Sequence, residues 1–335
     1  MIRFVLNHKK CISKYLFYIT FTNFYKKRVE KISRAAAQPN INSQEYLDFE
    51  FPLPPLEIQQ QIVEKMDSAL AEKKNLENKS DEILNSIDDY VLSELWIKLP
   101  GQKEEKNYFI VNLGDIKNWR FDVFYNKPEF KGLIGRLDNI DNKINLWEIC
   151  DEIFSWKRPK WWVVSIKQWV PSIWWEHIWG DWNIRTDNIK FISDNFHEKN
   201  KSSELKENDI LIVKDWATTG KVWIYKGIDW YDKVNINEHV FAIRLKNNIN
   251  PYYIFALLRW DLAQQQIRRE ITWWTVTWII KDSIERLIIP NSKKEIQDKI
   301  ANEVKSRIEK AKQLKNQATE IYEQTKNEVE KMILK

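Results

Sequence analysis

The sequence predicts an α+β protein: one β-rich α/β domain and two long antiparallel coiled-coil helical arms related by an internal repeat. Three observations predict it. The chain matches itself without a gap at an offset of 238 residues. Two stretches of about 40 residues carry apolar side chains at three- and four-residue steps. Short β-like runs fill the interval between the two copies.

The repeat comes first because it organises everything else. Tyr15, Leu16 and Phe17 fall on Tyr253, Ile254 and Phe255, and Ile41 falls on Ile279. Glu57, Ile58 and Gln59 fall on Glu295, Ile296 and Gln297, and Ile62 falls on Ile300. The copies run over 11–97 and 249–335. Each begins with an aromatic helical stretch, 15–32 or 253–270, followed by a loop, 34–43 or 272–281. A brief apolar strand ending in proline comes next, YLDFEFP in one copy and ERLIIP in the other. A long helix then starts near Glu57 or Glu295. Pro54 and Pro55 end the first strand, and proline is tolerated in a first helical turn.

The long helices read as coiled-coil arms. The second carries Ile300, Val304, Ile308, Ala311, Leu314, Ala318, Ile321, Thr325, Val329 and Met332 on one stripe. The first keeps the phase with Ile62, Met66, Leu70, Leu76, Ile83, Ile87, Val91 and Leu95. At 1.5 Å per residue each is about 60 Å long. Neither stripe can bury itself alone, so two arms packed together are expected, although a solvated helix pair would show the same pattern. Between the copies, NDILIVK, KVWIYK and HVFAIRL read as strands.

Composition excludes several classes. A net charge of +5 is compatible with a polyanion partner without requiring one. Cys11 and Cys150 have no metal or redox spacing and read as buried thiols of a reducing cytoplasm. His8, His177, His197 and His239 form no ligand pair, so no metal or other cofactor is expected. No run of 18 apolar residues suits a membrane span, and MIRFVLNHKK lacks the order of a signal peptide. One count is abnormal: 18 Trp against 7 Gly in 335 residues. That is about 2% glycine where about 7% is usual.

AAQPNIN (36–42), FPLPPLEIQQQIVEKMD (51–67), ENDILIVKDWATTGKVWIYK (207–226), NINEHVFAIRL (235–245) and INPYYIFALL (249–258), taken together, resemble the specificity subunits of type I restriction–modification systems. That family is built as recognition domain, helical arm, recognition domain, helical arm. The resemblance implies a remnant of a first target-recognition domain at 1–52, a first conserved arm at 53–100, a second recognition domain at 101–291 and a second arm at 292–335. It also implies a non-catalytic protein that binds double-stranded DNA and directs methyltransferase and restriction subunits to a bipartite target. Because Met1 aligns with His239, the first recognition domain is expected to continue upstream in the gene. If the short form is natural, self-dimerisation would restore two-fold symmetry.

Tryptophan stands where the family pattern has glycine. IFSWKRPK, IWWEHIWGDWNIR and KDWATTGKVWIY become ordinary when Trp is read as Gly. Turns need positive-φ residues, which glycine supplies without steric cost. The expectation is a gene in which UGA encodes glycine. Trp119 reads as a true tryptophan, and Trp96 and Trp260 stay open.

ATTGK at 217–221 is not a phosphate loop: even with glycine at 216 the spacing is one short, and Val222 stands where Ser or Thr belongs. By the resemblance, DNA contact belongs to basic and amide residues in loops of the central domain. Lys157, Arg158 and Lys160 form one basic group. Lys167, Arg185, Lys214, Lys221 and Asn237 are further candidates, with Thr218 and Thr219 as phosphate donors. Each taken singly reads first as a solvated surface residue, and only Lys157, Arg158 and Lys160 as a group balance the two readings. Glu176, His177 and Asn235 read as structural. Two other classes stay open: a tryptophan-rich binder of single-stranded nucleic acid or carbohydrate, and a coiled-coil scaffold without a DNA role.

Overall fold

A computed structural model of the chain describes residues 5–32, 41, 43–97, 108–116, 120–138, 140, 142–156, 170–179, 183–184, 188–215, 218–228, 230–259, 261–273 and 277–334. The chain divides into two units, Met1–Leu84 with Glu309–Lys335, and Asn85–Ile308. The division runs through both long helices rather than at the ends of the arms.

The first unit holds α1 (Ser13–Ile19), α2 (Asn23–Ile32), α3 (Ser43–Leu47) and the larger part of α4 (Leu56–Glu94). In the second, α5 (Pro128–Asp138) precedes β1 (Lys143–Asn145), β2 (Cys150–Phe154), β3 (Val170–Ile173), β4 (Ile178–Trp179), β5 (Asn183–Ile184) and β6 (Lys190–Ile192). There follow α6 (Asp194–Lys199), β7 (Ile210–Val213), β8 (Val222–Ile224), β9 (Asn235–Ile236) and β10 (Val240–Leu245). The second repeat copy supplies α7 (Pro251–Arg259), α8 (Asp261–Glu270), β11 (Thr272–Trp273), β12 (Thr277–Trp278), α9 (Lys281–Glu285), β13 (Ile288–Pro290) and α10 (Lys294–Ile333).

The repeat is structural. α2 and α8, and α3 and α9, occupy matching residues at the 238-residue offset, and α4 and α10 start at matching positions. The same side chains close the same turns. Tyr15 Oη donates to the Pro52 carbonyl at 2.7 Å, and Tyr253 Oη donates to the Pro290 carbonyl at 2.8 Å. Gln59 Nε2 donates to the Pro54 carbonyl, and Gln297 Nε2 donates to that of Ser292, both at 2.8 Å. The aromatic stretch of each copy forms two helices rather than one, broken in the first at Thr20–Thr22, where both threonine hydroxyls donate to carbonyls three residues back.

One expected strand is absent. Ile288–Pro290 pairs antiparallel with Lys143–Asn145, but residues 48–52 of the first copy form no ladder. A strand needs a partner for its backbone groups. Among the described residues of the first unit, nothing takes the place of β1.

Within the first unit α4 and α10 run antiparallel. Lys65 pairs with Glu328 at 2.5 Å, Lys73 lies 4.8 Å over the Tyr322 ring, and Ser80 Oγ donates to the Ala311 carbonyl at 3.0 Å. The apolar stripe does the stabilising, because exposed ion pairs contribute about 0–1 kcal/mol each. Ile62, Val63 and Met66 pack with Tyr15, Tyr18, Ile19, Val329 and Ile333 in one buried cluster. Within the second unit the helix ends meet through Arg307, which donates to the Ser86 carbonyl at 2.8 Å, and through Lys299–Glu94 at 2.7 Å.

The centre of the second unit is an antiparallel sheet in the order β2-β10-β7-β8. A second sheet, β6-β3-β9, pairs β3 with β9 in parallel. Ile210, Leu211, Ile212 and Val213 of β7 are all fully buried, as their unbroken apolar run requires. α7 lies against β8, and α8 against α5.

Among the described residues, three non-glycine positions adopt positive φ: Trp96 (56°), Asn208 (75°) and Trp230 (76°). Asparagine tolerates this region. Tryptophan does not, at about 1–2 kcal/mol per residue. Trp96 is 92% exposed and Trp230 97%, so no packing holds either indole in place. The strain favours glycine at both, and it extends that reading to Trp96.

Candidate nucleic-acid interface

The loop from β7 to β8, residues 214–221, gathers four of the residues expected to touch DNA: Lys214, Thr218, Thr219 and Lys221. Its shape follows from the backbone. Gly220 sits at φ +87° and donates its N–H to the Val213 carbonyl at 2.8 Å, while Lys221 donates to the Thr218 carbonyl at 3.1 Å. A Cβ at Gly220 would meet Ile267 of α8 at 3.0 Å. Glycine is therefore favoured by conformation, and a Cβ would also crowd the Ile267 side chain. Gln264 of α8 donates to the Gly220 carbonyl at 2.9 Å and clamps the loop from behind.

The other side of the loop is held by the turn before β10. Lys214 N–H donates to the His239 carbonyl at 2.8 Å, and Ile279 N–H donates to the Lys214 carbonyl at 2.9 Å. The His239 Nδ1 lies 2.8 and 2.9 Å from the two carboxylate oxygens of Asp215. Lys214 Nζ reaches the Glu238 carbonyl at 3.3 Å and sits 5.3 Å over the Phe241 ring. Sequence reasoning missed Asp215 and His239 as a pair, because 24 residues separate them and only the β7–β10 pairing brings them together.

The candidates differ in what they can reach. Lys221 is exposed, and Lys214 and Thr219 are half-buried at the loop surface. Asn237 is fully buried, its Oδ1 accepting from His239 N–H at 3.0 Å and its Nδ2 without a partner. Thr218 is buried too, its hydroxyl unpartnered. As placed, Asn237 and Thr218 support the loop from within, where neither a base edge nor a phosphate reaches them. Lys157, Arg158, Lys160, Lys167 and Arg185 lie outside the described residues.

The residues read as structural are so placed. The buried His177 accepts from Trp174 N–H at Nδ1, at 2.9 Å. Glu176 pairs with Lys190 at 2.8 Å. Asn235, fully buried, joins His197 at 2.7 Å and donates to Ser203 Oγ at 2.7 Å. Among the described residues no cluster of His, Cys, Asp or Glu could hold a metal ion, and no helix is long and apolar enough to cross a membrane. What the site offers is two lysine ammonium groups on a braced loop, able to hold phosphates or read guanine edges.

No curated protein matches the chain. Among solved structures, an S subunit of a type I restriction-modification system from M. genitalium is 15% identical with a TM-score of 0.49, over 98% of this chain and 74% of that one. The HsdS subunit from Thermoanaerobacter tengcongensis is 16% identical with a TM-score of 0.38, over 98% and 71%. A structure from work on complex assembly and conformational transition of the type I R-M system is 16% identical with a TM-score of 0.48, over 98% and 71%. The profile of the type I restriction modification DNA specificity domain matches residues 1–86 and 179–331, taking in most of both long helices and the β7–β10 core. On that match the chain belongs to the family of type I restriction–modification DNA specificity subunits.

Proposed function

We propose that this protein recognises double-stranded DNA within a type I restriction–modification complex and directs methyltransferase and restriction subunits to a bipartite target. It performs no catalysis of its own. The observation that carries this reading is the family match spanning both helical arms and the sheet whose β7–β8 loop displays Lys214 and Lys221. The arms supply the spacing: helices of 39 and 40 residues extend about 60 Å, longer than one turn of duplex DNA at about 34 Å.

The test is to assemble the chain with its methyltransferase partner and map the methylated adenines. A shared motif of two half-sites around an unread spacer is expected. Methylation without any common motif would refute the reading. Shortening both arms by one or two helical turns should change the spacer and leave the half-sites alone. Replacing Lys214 and Lys221 by Ala, or Lys157, Arg158 and Lys160 together, separates two roles. Removing a cation that holds a phosphate lowers the salt slope by about 0.9 for every sequence alike, whereas removing one that reads a base relaxes discrimination at one half-site.

A further inference from the structure

The turn before β10 is fixed without the His239 side chain. His239 N–H donates to Asn237 Oδ1 at 3.0 Å, and the His239 carbonyl accepts from Lys214 N–H at 2.8 Å. From Val240 onward β10 is paired with β7. The imidazole is therefore left for another task. Its Nδ1 faces both oxygens of the Asp215 carboxylate, so Nδ1 carries the proton and the ring cannot turn over without losing that partner. Nε2, on the opposite edge, has no hydrogen bond among the described residues, and the Glu238 carboxylate lies 3.6 Å from it. His177 and His197 are buried and bonded within the unit, whereas 20% of the His239 side chain reaches solvent.

The neighbours set the chemistry. Asp215 and Glu238 flank the ring, Trp174 lies 6.2 Å from it, and Lys214 Nζ is held at the Glu238 carbonyl. A lysine ammonium has three donors and no acceptor. Lys214 and Lys221 can therefore hold phosphates or meet guanine, and neither can accept from an amino group. With Nδ1–H committed to Asp215, the neutral ring presents Nε2 as an acceptor, and Glu238 adds another beside it. Carboxylates on a loop that meets DNA repel phosphates, so they lower affinity for every sequence alike. Acceptors suit only the base edges that present an amino group, N6 of adenine and N4 of cytosine in the major groove.

We infer that His239 is a base-reading residue: its Nε2 accepts from an exocyclic amino group of adenine or cytosine, and Asp215 is the positioning residue that aims the ring. The inference rests on the proposed DNA-recognition role and deepens it by naming a residue that discriminates between sequences.

Two amide variants separate reading from bracing. The Asn side chain of His239→Asn can replace Nδ1–H toward Asp215 and has nothing at the Nε2 position; the longer side chain of His239→Gln reaches the Nε2 position and gives up the brace. Each variant is assembled with the methyltransferase partner, its melting profile is recorded, and binding is measured on the target, on every single-base-pair substitution of it and on non-target DNA. The expected result for His239→Asn is target affinity weaker by about tenfold, discrimination relaxed at one base pair and an unchanged salt slope. His239→Gln should keep more of the discrimination at that base pair. Removing the amino group there, with purine for adenine or 2-pyrimidinone for cytosine, should weaken the wild-type complex more than the His239→Asn complex.

A His239→Asn complex with the wild-type substitution profile overturns the inference. So does a greater loss in His239→Gln than in His239→Asn, or a melting profile lowered in both, since either assigns the ring to bracing the loop. A loss equal on all sequences with a shallower salt slope assigns it to a phosphate. In each of these cases the wild-type complex still prefers its target, and the proposed function stands. A wild-type complex that prefers no sequence refutes both.

Discussion

The two copies of the repeat share their joints and differ in their cover. Tyr15 and Tyr253 make the same bond to a proline carbonyl, and Gln59 and Gln297 make the same bond five residues back. Those joints are local, so each copy carries its own. Burial is not local. The same phenylalanine is enclosed in one copy, where β8 packs against α7, and half in solvent in the other. A repeat thus transmits geometry faithfully, while the energy stored in it depends on the neighbour.

The largest effect should separate the phenylalanines. Phe255→Ala removes a fully enclosed ring and is expected to cost about 3–5 kcal/mol, whereas Phe17→Ala should cost under about 1. Chemical denaturation of both variants measures this, and equal losses would mean that the first face is covered in solution. Next come the glutamines. Gln59 makes three hydrogen bonds, to the carbonyls of Lys10 and Pro54 and from Ile12 N–H, at 2.8–2.9 Å. Gln297 makes one, and its Oε1 has no partner. Gln59→Ala should cost about 2–3 kcal/mol and Gln297→Ala about 1, and a reversed order would break the comparison.

Smaller again is the backbone strain at Trp230. Trp230→Gly is expected to stabilise the chain by about 1 kcal/mol, and Trp230→Ala much less, since alanine shares the penalty at positive φ. Mass spectrometry of the protein from its native host should find glycine at position 230, at 96 and at most tryptophan positions of 147–278. Tryptophan masses in peptides spanning 155–185 would sink that reading.

A separate effect is electrostatic and confined to one end of the arms. Burial pushes the Asp88 carboxyl up to about 6, Arg259 pulls it down in part, and Asp261 and Asp89 push it up. Lys326 and Phe21 occupy the matching positions of the other copies. A carboxyl raised on folding binds its proton more tightly when folded. Its contribution is therefore favourable below the unfolded value near 4 and is lost as pH rises through about 6. Stability followed by denaturation should fall across that window, and Asp88→Asn should flatten the fall. A fall that persists unchanged in the variant would assign it to another group.

Much of the fold could be read in advance, and the reason is periodicity. α4 and α10 start within one residue of the expected positions, and NDILIVK, KVWIYK and HVFAIRL contain β7, β8 and β10. What escaped was long-range. YLDFEFP has the composition of a strand but no partner, so it forms none. Asp215 and His239 look unremarkable apart and form a brace together. Asn237 looks like a reader of adenine and is enclosed beneath the loop it supports.

By itself the sequence determined the repeat, the helical arms, the apolar runs of the sheet and the misfit of tryptophan in turns. Each depends on neighbours within a few residues, or on the chain's likeness to itself. Only the tertiary structure decided which of two like faces is sealed, that Trp96 and Trp230 sit at positive φ, and that the β7–β8 loop is clamped by α8 and His239. Burial and bracing are set by whichever segment packs opposite. Residue type records that a side chain can be buried, and the packing partner settles whether it is.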